Sequence, residues 1–472
     1  MSTFGTLNTA YTGLIAARRG LDVVGQNIAN ANTQGYTRQR VMTSASVTAP
    51  SSLQMTATFT VGQGVSVDGV SRIGSTLLDA RVRSATATSG YWDVRSSAMS
   101  SLEQNLQEPG PNGLSATLQK FWSAWQDLGN NAAVPATGTA LITQATGLAA
   151  QIAGGYKQVD TQWSTLRTDA DAKVAALNDA GARVADLNGQ IRMTLAAGGS
   201  ANELIDQRDT LMTTISNLAG GTARNLPNGT TEILIGGNPI VSGDHFNAVS
   251  LVGSYHMDAA GTDPVQLTWP NGTVVALEGG ELGGSVAMLA AANGSGTGGA
   301  IAEAAASYST LATDLANQVN AVYSTGANAA GTSGANFFSF TAGLPAAVGL
   351  TVVPTTPADL ATATPGSGAY NGDVASAIAQ LGTGSTSPDA VWAGIVSGIG
   401  TQSRTAQQQS TLAGLATTAA TNNQLSNAGV DLDEENVNML SFQRAYQGAA
   451  RVMTAVDEML DTLINHTGLV GR

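Results

Sequence analysis

His245, His256 and His466 are the only histidines in this 472-residue sequence, and they lie far apart. A catalytic or structural metal needs several His, Cys, Asp or Glu donors held together, often at spacings such as HExxH. No such spacing occurs, and no cysteine is present to act as ligand or nucleophile. The GxSxG elbow of acyl transfer and the GKS or GKT of phosphate binding are also missing. The nearest glycine-rich loop, Gly294-Ser-Gly296-Thr-Gly298-Gly299, lacks a preceding strand pattern and a lysine, so it reads as a linker. Asp433, Glu434 and Glu435 could supply acid/base groups, but they open a helix. Asp431 as N-cap with Glu434 three residues later forms a capping box, and the remaining acids oppose the positive end of the helix dipole. The residues point to a protein that is not an enzyme, with no metal site and no cofactor.

What the sequence does carry is a pair of amphipathic ends. Leu432, Glu435, Met439, Phe442, Tyr446, Ala449, Met453, Val456, Leu460 and Leu463 follow an unbroken 3-4 spacing, with Glu435 alone out of character. That is a coiled-coil seam. At the N-terminus the same spacing gives Phe4, Leu7, Tyr11, Leu14, Arg18, Leu21, Gly25 and Ile28, interrupted at Arg18 and Gly25 and backed by Ile15 and Val24. The expected assembly interface is therefore Leu7, Tyr11, Leu14, Leu21 and Ile28 against Met439, Phe442, Tyr446, Met453, Val456, Leu460 and Leu463. Gly13, Gly20 and Gly25 weaken the first helix by up to about 1 kcal/mol each. The two ends are expected to be marginal alone and to become ordered among neighbouring copies.

A chain of this length implies two to four domains. Hydrophobic residues make up 43% and support folded cores, whereas charged residues are only 11%, against roughly a quarter in ordinary soluble proteins. A net charge of −13 with three lysines, Lys120, Lys157 and Lys173, argues against nucleic acid, which needs clustered cations. The acidic polar face of the C-terminal seam likewise argues against a membrane surface. Residues 1 to 30 lack the pattern of a secretory signal, and no stretch approaches a membrane span. A cytosolic protein, or one exported without a cleavable signal, is expected.

The first helix should stop at the turn cluster Asn30-Ala-Asn32-Thr-Gln-Gly35-Tyr36. Residues 38 to 73, including Thr56 to Val61, Val65 and Val67, read as short strands with bulges at glycine. Helical periodicity runs from Thr76 to Leu218, divided at Pro109, Pro111 and Pro135. A period of two follows between Leu226 and Glu281. Its best hairpin is expected at Asn271-Gly272 as a type I′ turn between Val265, Leu267, Trp269 and Val274, Val275, Leu277. Helices resume at 284–292 and 301–323, a loop-rich excursion occupies 324–387, and Ser387-Pro388-Asp389 starts a last long helix to about Thr421.

The fold class is thus mainly α and multi-domain, with terminal coiled-coil helices, a long helical bundle body formed by both halves of the chain, and a small β-rich inserted domain. The expected units are 1–45 with 425–472 as the terminal helical domain, 46–225 with 285–424 as the body, and 226–284 as the β domain.

These residues bring a resemblance. Leu7-Asn-Thr-Ala-Tyr-Thr-Gly-Leu14, Gln26-Asn27-Ile28-Ala29-Asn30-Ala31-Asn32-Thr33 and Gly35-Tyr36-Thr37-Arg38-Gln39 resemble the N-terminal pattern of bacterial flagellar axial proteins. Val430-Asp431-Leu432-Asp433-Glu434-Glu435, Gln443-Arg444-Ala445-Tyr446-Gln447 and Met459-Leu-Asp-Thr-Leu463 resemble their C-terminal pattern. Gly113-Leu114 through Phe121-Trp122-Ser-Ala-Trp125, Ala133 to Ala140, and Asp206-Gln207-Arg208-Asp209-Thr-Leu211 narrow the resemblance to the hook-associated protein 1 (FlgK) family. The sequence departs from that pattern at Arg18-Arg19-Gly20 and Gly448, where relatives generally carry better helix formers, and its outer region is short.

The resemblance implies a structural adaptor at the hook–filament junction, outside the cell, reached by type III export without a cleavable signal. It implies as partners other copies of itself in a ring, the hook protein, the next hook-associated junction protein, and an export chaperone on the C-terminal segment. A hook or distal-rod subunit, and less so a secreted adhesin, are the competing readings.

Overall fold

The computed structural model describes residues 3–46, 62–368 and 370–466. The strand expected at Thr56 to Val61 lies outside them. Helix α1 (Thr3–Ala29) leads through the predicted turn into an antiparallel hairpin, β1 (Gln39–Ala45) and β2 (Val65–Arg72). Met42 faces Gly69 and Thr43 faces Val67, so Asp68 is the extra residue of a bulge beside the glycine, as the spacing predicts.

Four helices follow, α2 (Thr76–Leu106), α3 (Leu114–Asn130), α4 (Pro135–Ala196) and α5 (Asn202–Ala219). Pro135 occupies the first position of α4, where its missing N–H costs nothing. From there α4 runs 62 residues without another proline, about 93 Å at 1.5 Å per residue. Leu141, Ala145, Leu148, Ile152, Val159, Trp163, Ala170, Val174, Leu177, Val184 and Ile191 are buried along it at helical spacing. Arg167 interrupts that stripe, with its guanidinium 4.2 Å from the centre of the Tyr255 ring and 2.6 Å from Asp171.

The β segment comprises β3 (Thr222–Asn225), β4 (Thr231–Ile235), β5 (Asn238–Ser242), β6 (His245–Phe246), β7 (Ser250–Val252) and β8 (Gln266–Thr268). The first four form one antiparallel sheet in sequence order, and β7 pairs with β8. The expected ranking of hairpins is reversed. Gly236 and Gly237, at φ 56° and 78°, make the tight β4–β5 turn with both central residues left-handed. At the other turn the N–H of Gly272 donates to the Trp269 carbonyl, placing Pro270 and Asn271 at the centre, and only Gly272 has positive φ. Proline fixes a negative φ, so this turn is type I followed by a left-handed glycine, and the returning residues make a single bridge from Val274 to Thr268.

Asn188 of α4 fastens this segment to the helices. Its side-chain amide donates to the carbonyls of Thr231 (2.9 Å) and Gly243 (2.7 Å), and its oxygen accepts from the Thr231 N–H and the Arg208 guanidinium, each at 3.0 Å. Asn188→Ala strands several buried polar groups at once. We expect it to lower unfolding free energy by at least about 2 kcal/mol in urea denaturation.

The chain then returns through α6 (Gly280–Leu289), α7 (Ala300–Tyr323), β9 (Phe338–Phe340), α8 (Ala346–Gly349), β10 (Leu350–Val352), α9 (Asp373–Ala379), α10 (Pro388–Ala428) and α11 (Leu432–Asp461). The 324–387 region has little regular structure, yet it builds core. Phe337 and Phe338 are buried against Trp125 (4.9 Å between rings) and Phe121 (5.9 Å). The indoles of Trp122 and Trp392 donate across the halves to Asp389 (2.6 Å) and Glu108 (3.0 Å). Helices α2 and α10 lie antiparallel, joined by Gln424 to Asp79 and Ser410 to Asp93, each at 2.6 Å. Buried residues of helices and strands merge into one hydrophobic cluster between Ala98 and Ala406, and no residue of α1 or α11 belongs to it.

Candidate assembly site at the terminal helix pair

Helices α1 and α11 pack against each other outside that cluster. Asn27 touches Glu435 and Gly20 touches Phe442, so numbering falls along one helix as it rises along the other: the pair is antiparallel. Of the expected interface, Val456 is buried, and Leu7, Leu14, Leu21, Ile28, Met439, Phe442, Met453 and Leu460 are partly covered. Tyr11 (52% exposed), Tyr446 (38%) and Leu463 (54%) face outward.

The frame of α1 is shifted by one residue from the expected seam. Its buried residues are Ala10, Ala17, Gly20, Val23, Val24 and Asn27, all but Val23 in the shifted frame, whereas Phe4, Tyr11 and Ile15 point away. Small residues let the two backbones approach, Leu7, Leu14, Leu21 and Ile28 flank the contact half-covered, and Phe4, Tyr11 and Ile15 are left over. Gly20 shows why. A Cβ built there would lie 2.5 Å from the Phe442 ring, so the missing side chain is the seat for that ring. At Gly13 and Gly25 a Cβ would meet nothing within 4 Å.

Glu435, the misfit of the C-terminal seam, is 1% exposed and fully engaged. One carboxylate oxygen accepts from the Asn27 amide (3.0 Å), and the other from Nε of Arg38 (2.8 Å). Arg38 also reaches Glu434 at 2.5 Å, and its backbone N–H donates to the Ala428 carbonyl at 2.9 Å. Although burial works against its charge, the two carboxylates hold the Arg38 guanidinium above the ordinary arginine range. This corrects the expected capping box. Asp431 caps the N–H groups of Asp433 (2.8 Å) and Glu434 (3.3 Å), while the Glu434 carboxylate goes to Arg38.

The network continues into the body. Asn27 accepts from the Tyr36 hydroxyl (2.9 Å) and from the Gln39 N–H (3.0 Å). Burial and the nearby carboxylates of Asp206, Glu203 and Glu435 push the Tyr36 phenol up to about 12. Asp206 accepts from the Thr37 N–H at 3.2 Å, and Arg72 bridges Asp206 and Asp209 at 2.7 Å each. Burial outweighs Arg72 and raises the Asp206 carboxyl above its usual range. Arg208, on the opposite side of α5, faces Asn188 and the Gly229 carbonyl. The Asp206-Gln207-Arg208-Asp209 motif therefore joins the neck on one side and the β segment on the other.

A cleft of about 580 Å³ opens beside this neck, lined by Tyr36, Asp186, Glu203, Asp206 and Gln207 among others. Two of its carboxylates have structural partners, Glu203 accepting from Gln39 at 3.2 Å and Asp206 from Thr37. Among the described residues, no group of three or more His, Cys, Asp or Glu is placed to hold a metal ion, and no helix is long and apolar enough to cross a membrane. Sequence reasoning missed Gly20, Asn27 and Arg38 as members of this site. The charged residue inside an apolar heptad was the available signal, because a buried Glu requires a donor set elsewhere in the chain.

Comparison with known proteins gives three family matches. A profile described as the flagellar hook-associated protein FlgK helical domain covers residues 99–338, just over half the chain. The ends match separately, residues 7–37 to a flagella basal body rod protein profile and 422–466 to a flagellar basal body rod FlgEFG protein C-terminal profile. A flagellar hook-associated protein 1 of Bacillus subtilis is 29% identical over 512 aligned positions, covering 100% of both chains. That of Salmonella typhimurium is 35% identical over 216, covering 45% of this chain and 38% of the relative. A solved flagellar hook junction protein FlgK from Burkholderia pseudomallei shares the fold, with a TM-score of 0.64 at 15% identity over 74% of this chain and all of the other.

Proposed function

The chain belongs to the FlgK family of flagellar hook-associated proteins, and on that premise we propose that it is a structural component of the hook–filament junction that acts by assembly and not by catalysis. Its terminal pair holds neighbouring copies, and its helical body forms the layer around them. One observation carries this reading: α1 and α11 stand outside the body core with Phe4, Tyr11, Val437, Leu440 and Met459 turned to solvent. Apolar side chains aligned on a protruding element mark a protein contact.

Within this reading, the units are 1–45 with 425–472, 46–225 with 285–424, and 226–284. Val456, Phe442 and Leu14 fasten the pair internally, and Tyr11, Tyr446 and Leu463 meet other copies. Hook protein below and the next junction protein above are the further partners. The route is type III export, with a chaperone covering the exposed C-terminal residues around Leu463 and Ile464 until assembly. A hook or distal-rod subunit is the second reading, favoured by the rod-protein matches at both ends. The match over 99–338 favours the junction role instead.

Electron microscopy of a strain lacking the gene tests the proposal: hooks without filaments are expected, and normal filaments would refute it. Limited proteolysis of the purified monomer should cut within 30–60 and 420–472 and leave a body fragment, because little of α1 and α11 is buried. Ends as resistant as the body would contradict a marginal pair.

A further inference from the structure

No residue before Ala98 or after Ala406 belongs to the hydrophobic cluster, so no shared core spans the neck between the terminal pair and the body. What crosses it is directional. The Thr37 N–H donates to Asp206 (3.2 Å), Gln39 to Glu203 (3.2 Å), Asn202 to the Gln39 side chain and the Val70 carbonyl (3.1 Å each), and the Arg38 N–H to the Ala428 carbonyl (2.9 Å). Interdigitated side chains fix an angle because tilting them opens voids. Hydrogen bonds beside solvent exchange with water at small net cost. The neck also has room on both sides. Thr33, Gln34, Gly35 and Tyr36 line the cleft of about 580 Å³ against α4, and the same four line a second cleft of about 510 Å³ against Asp79 and Arg83 of α2 and Thr421 and Leu425 of α10. Between the two clefts the turn rests on α5 at Gly35, whose φ is 81° and whose missing Cβ would collide with the Thr210 hydroxyl. A close seat with open space to either side is a fulcrum.

Arg72 holds this fulcrum. It ends β2, and its Nη2 lies 3.0 Å from the Thr37 hydroxyl and 2.7 Å from a carboxylate oxygen of both Asp206 and Asp209, one turn apart on α5. One nitrogen thus ties the hairpin, the turn and α5 together. Its Nε is buried without a hydrogen-bond partner among the described residues, and the charge of Asp79 on α2 acts on the same guanidinium. The geometry points to a hinge: the terminal pair rocks over α5 about Gly35, closing one cleft as the other opens, and Arg72 is the positioning residue that sets its resting angle. Hinges are typically a few loop or element-terminal residues between rigid units. The guanidinium stays among three carboxylates through the swing, so tilting strands no buried charge. Helix α1, at 27 residues, is about 40 Å long, so a small rotation at its root moves its far end further. Copies of one chain can then hold the pair at different angles, which suits a ring joined to different assemblies above and below. That use rests on the junction reading, whereas the hinge is a property of the single chain.

Because the chain has no cysteine, introduced pairs carry spin labels without background, and double electron–electron resonance on the purified full chain measures the swing. Gln34→Cys with Gln190→Cys spans the first cleft, and Gln34→Cys with Thr421→Cys spans the second. Thr146→Cys with Thr310→Cys joins α4 to α7 in the body as a rigid control. Both cleft distributions are expected to be broader than the control. Arg72→Ala should move their means in opposite directions by about 2 Å or more, and Arg72→Lys, which keeps the charge, should return them towards the original. The control distance stays the same in each variant, which shows that the body is folded. Cleft distances as sharp as the control and unmoved in Arg72→Ala would overturn the hinge. Both means lengthening together would overturn it too, because that is detachment of the pair and not rocking. Rocking that ignores Arg72 would remove its positioning role. None of these outcomes depends on whether a strain lacking the gene bears filaments, so the hinge and the junction reading fail separately.

Discussion

Glu435→Ala is expected to open the root of the terminal pair, raising amide exchange across α1 and α11 while the body stays protected. The carboxylate is almost fully buried and accepts from both Asn27 and Arg38. Removing one partner of a buried, hydrogen-bonded ion pair costs about 3 to 5 kcal/mol, much of it from the group left behind. Arg38 keeps Glu434, so the lower part of that range applies. Glu435→Gln retains an acceptor for Asn27 and should cost less. Exchange unchanged in the alanine variant would mean that the polar root does not hold the pair together.

Gly20→Leu is the second large effect, and here two physical terms have opposite signs. Helix propensity alone makes replacement of a mid-helix glycine stabilising by up to about 1 kcal/mol. The first carbon added would lie 2.5 Å from the Phe442 ring, and overpacking typically costs about 1 to 3 kcal/mol. Packing should win, and separation of α1 from α11 should follow. Gly13→Ala and Gly25→Ala meet open space, so in the isolated protein they should stabilise α1. Phe442→Ala should rescue part of the Gly20→Leu defect by vacating the seat. Hydrogen exchange of the four variants and the double variant measures all of this, and equal responses at the three glycines would remove the knob-and-seat contact from the account.

These residues also mark what a sequence can disclose. The helices of the body were legible because Pro109, Pro111 and Pro135 cannot sit inside a helix and so mark where one ends or begins, and because stripes such as that of α4 repeat over many turns. The seam of α11 was legible for the same reason. The frame of α1 was not, since periodicity scores large apolar residues, and here close approach selects the small ones. Gly20 looked like a helix defect, and only the position of Phe442 gives it a role. Glu435 stood out in sequence, but its donors lie some 400 positions away, at Asn27 and Arg38. The excursion at 324–387 read as loop because its backbone is irregular. Phe337 and Phe338 are core nonetheless, held by aromatic contacts from α3 that no local pattern encodes. At the Asn271-Gly272 turn, the preceding Pro270 should have lowered the expectation of a type I′ hairpin.

The most direct test of assembly through the terminal pair is an electron cryomicroscopic reconstruction of the hook–filament junction from cells expressing this chain. The expected density keeps Phe442 on Gly20 within each copy and buries Tyr11, Tyr446 and Leu463 against neighbouring copies. Density in which those three side chains contact no other subunit, with copies joined through the body alone, would contradict it.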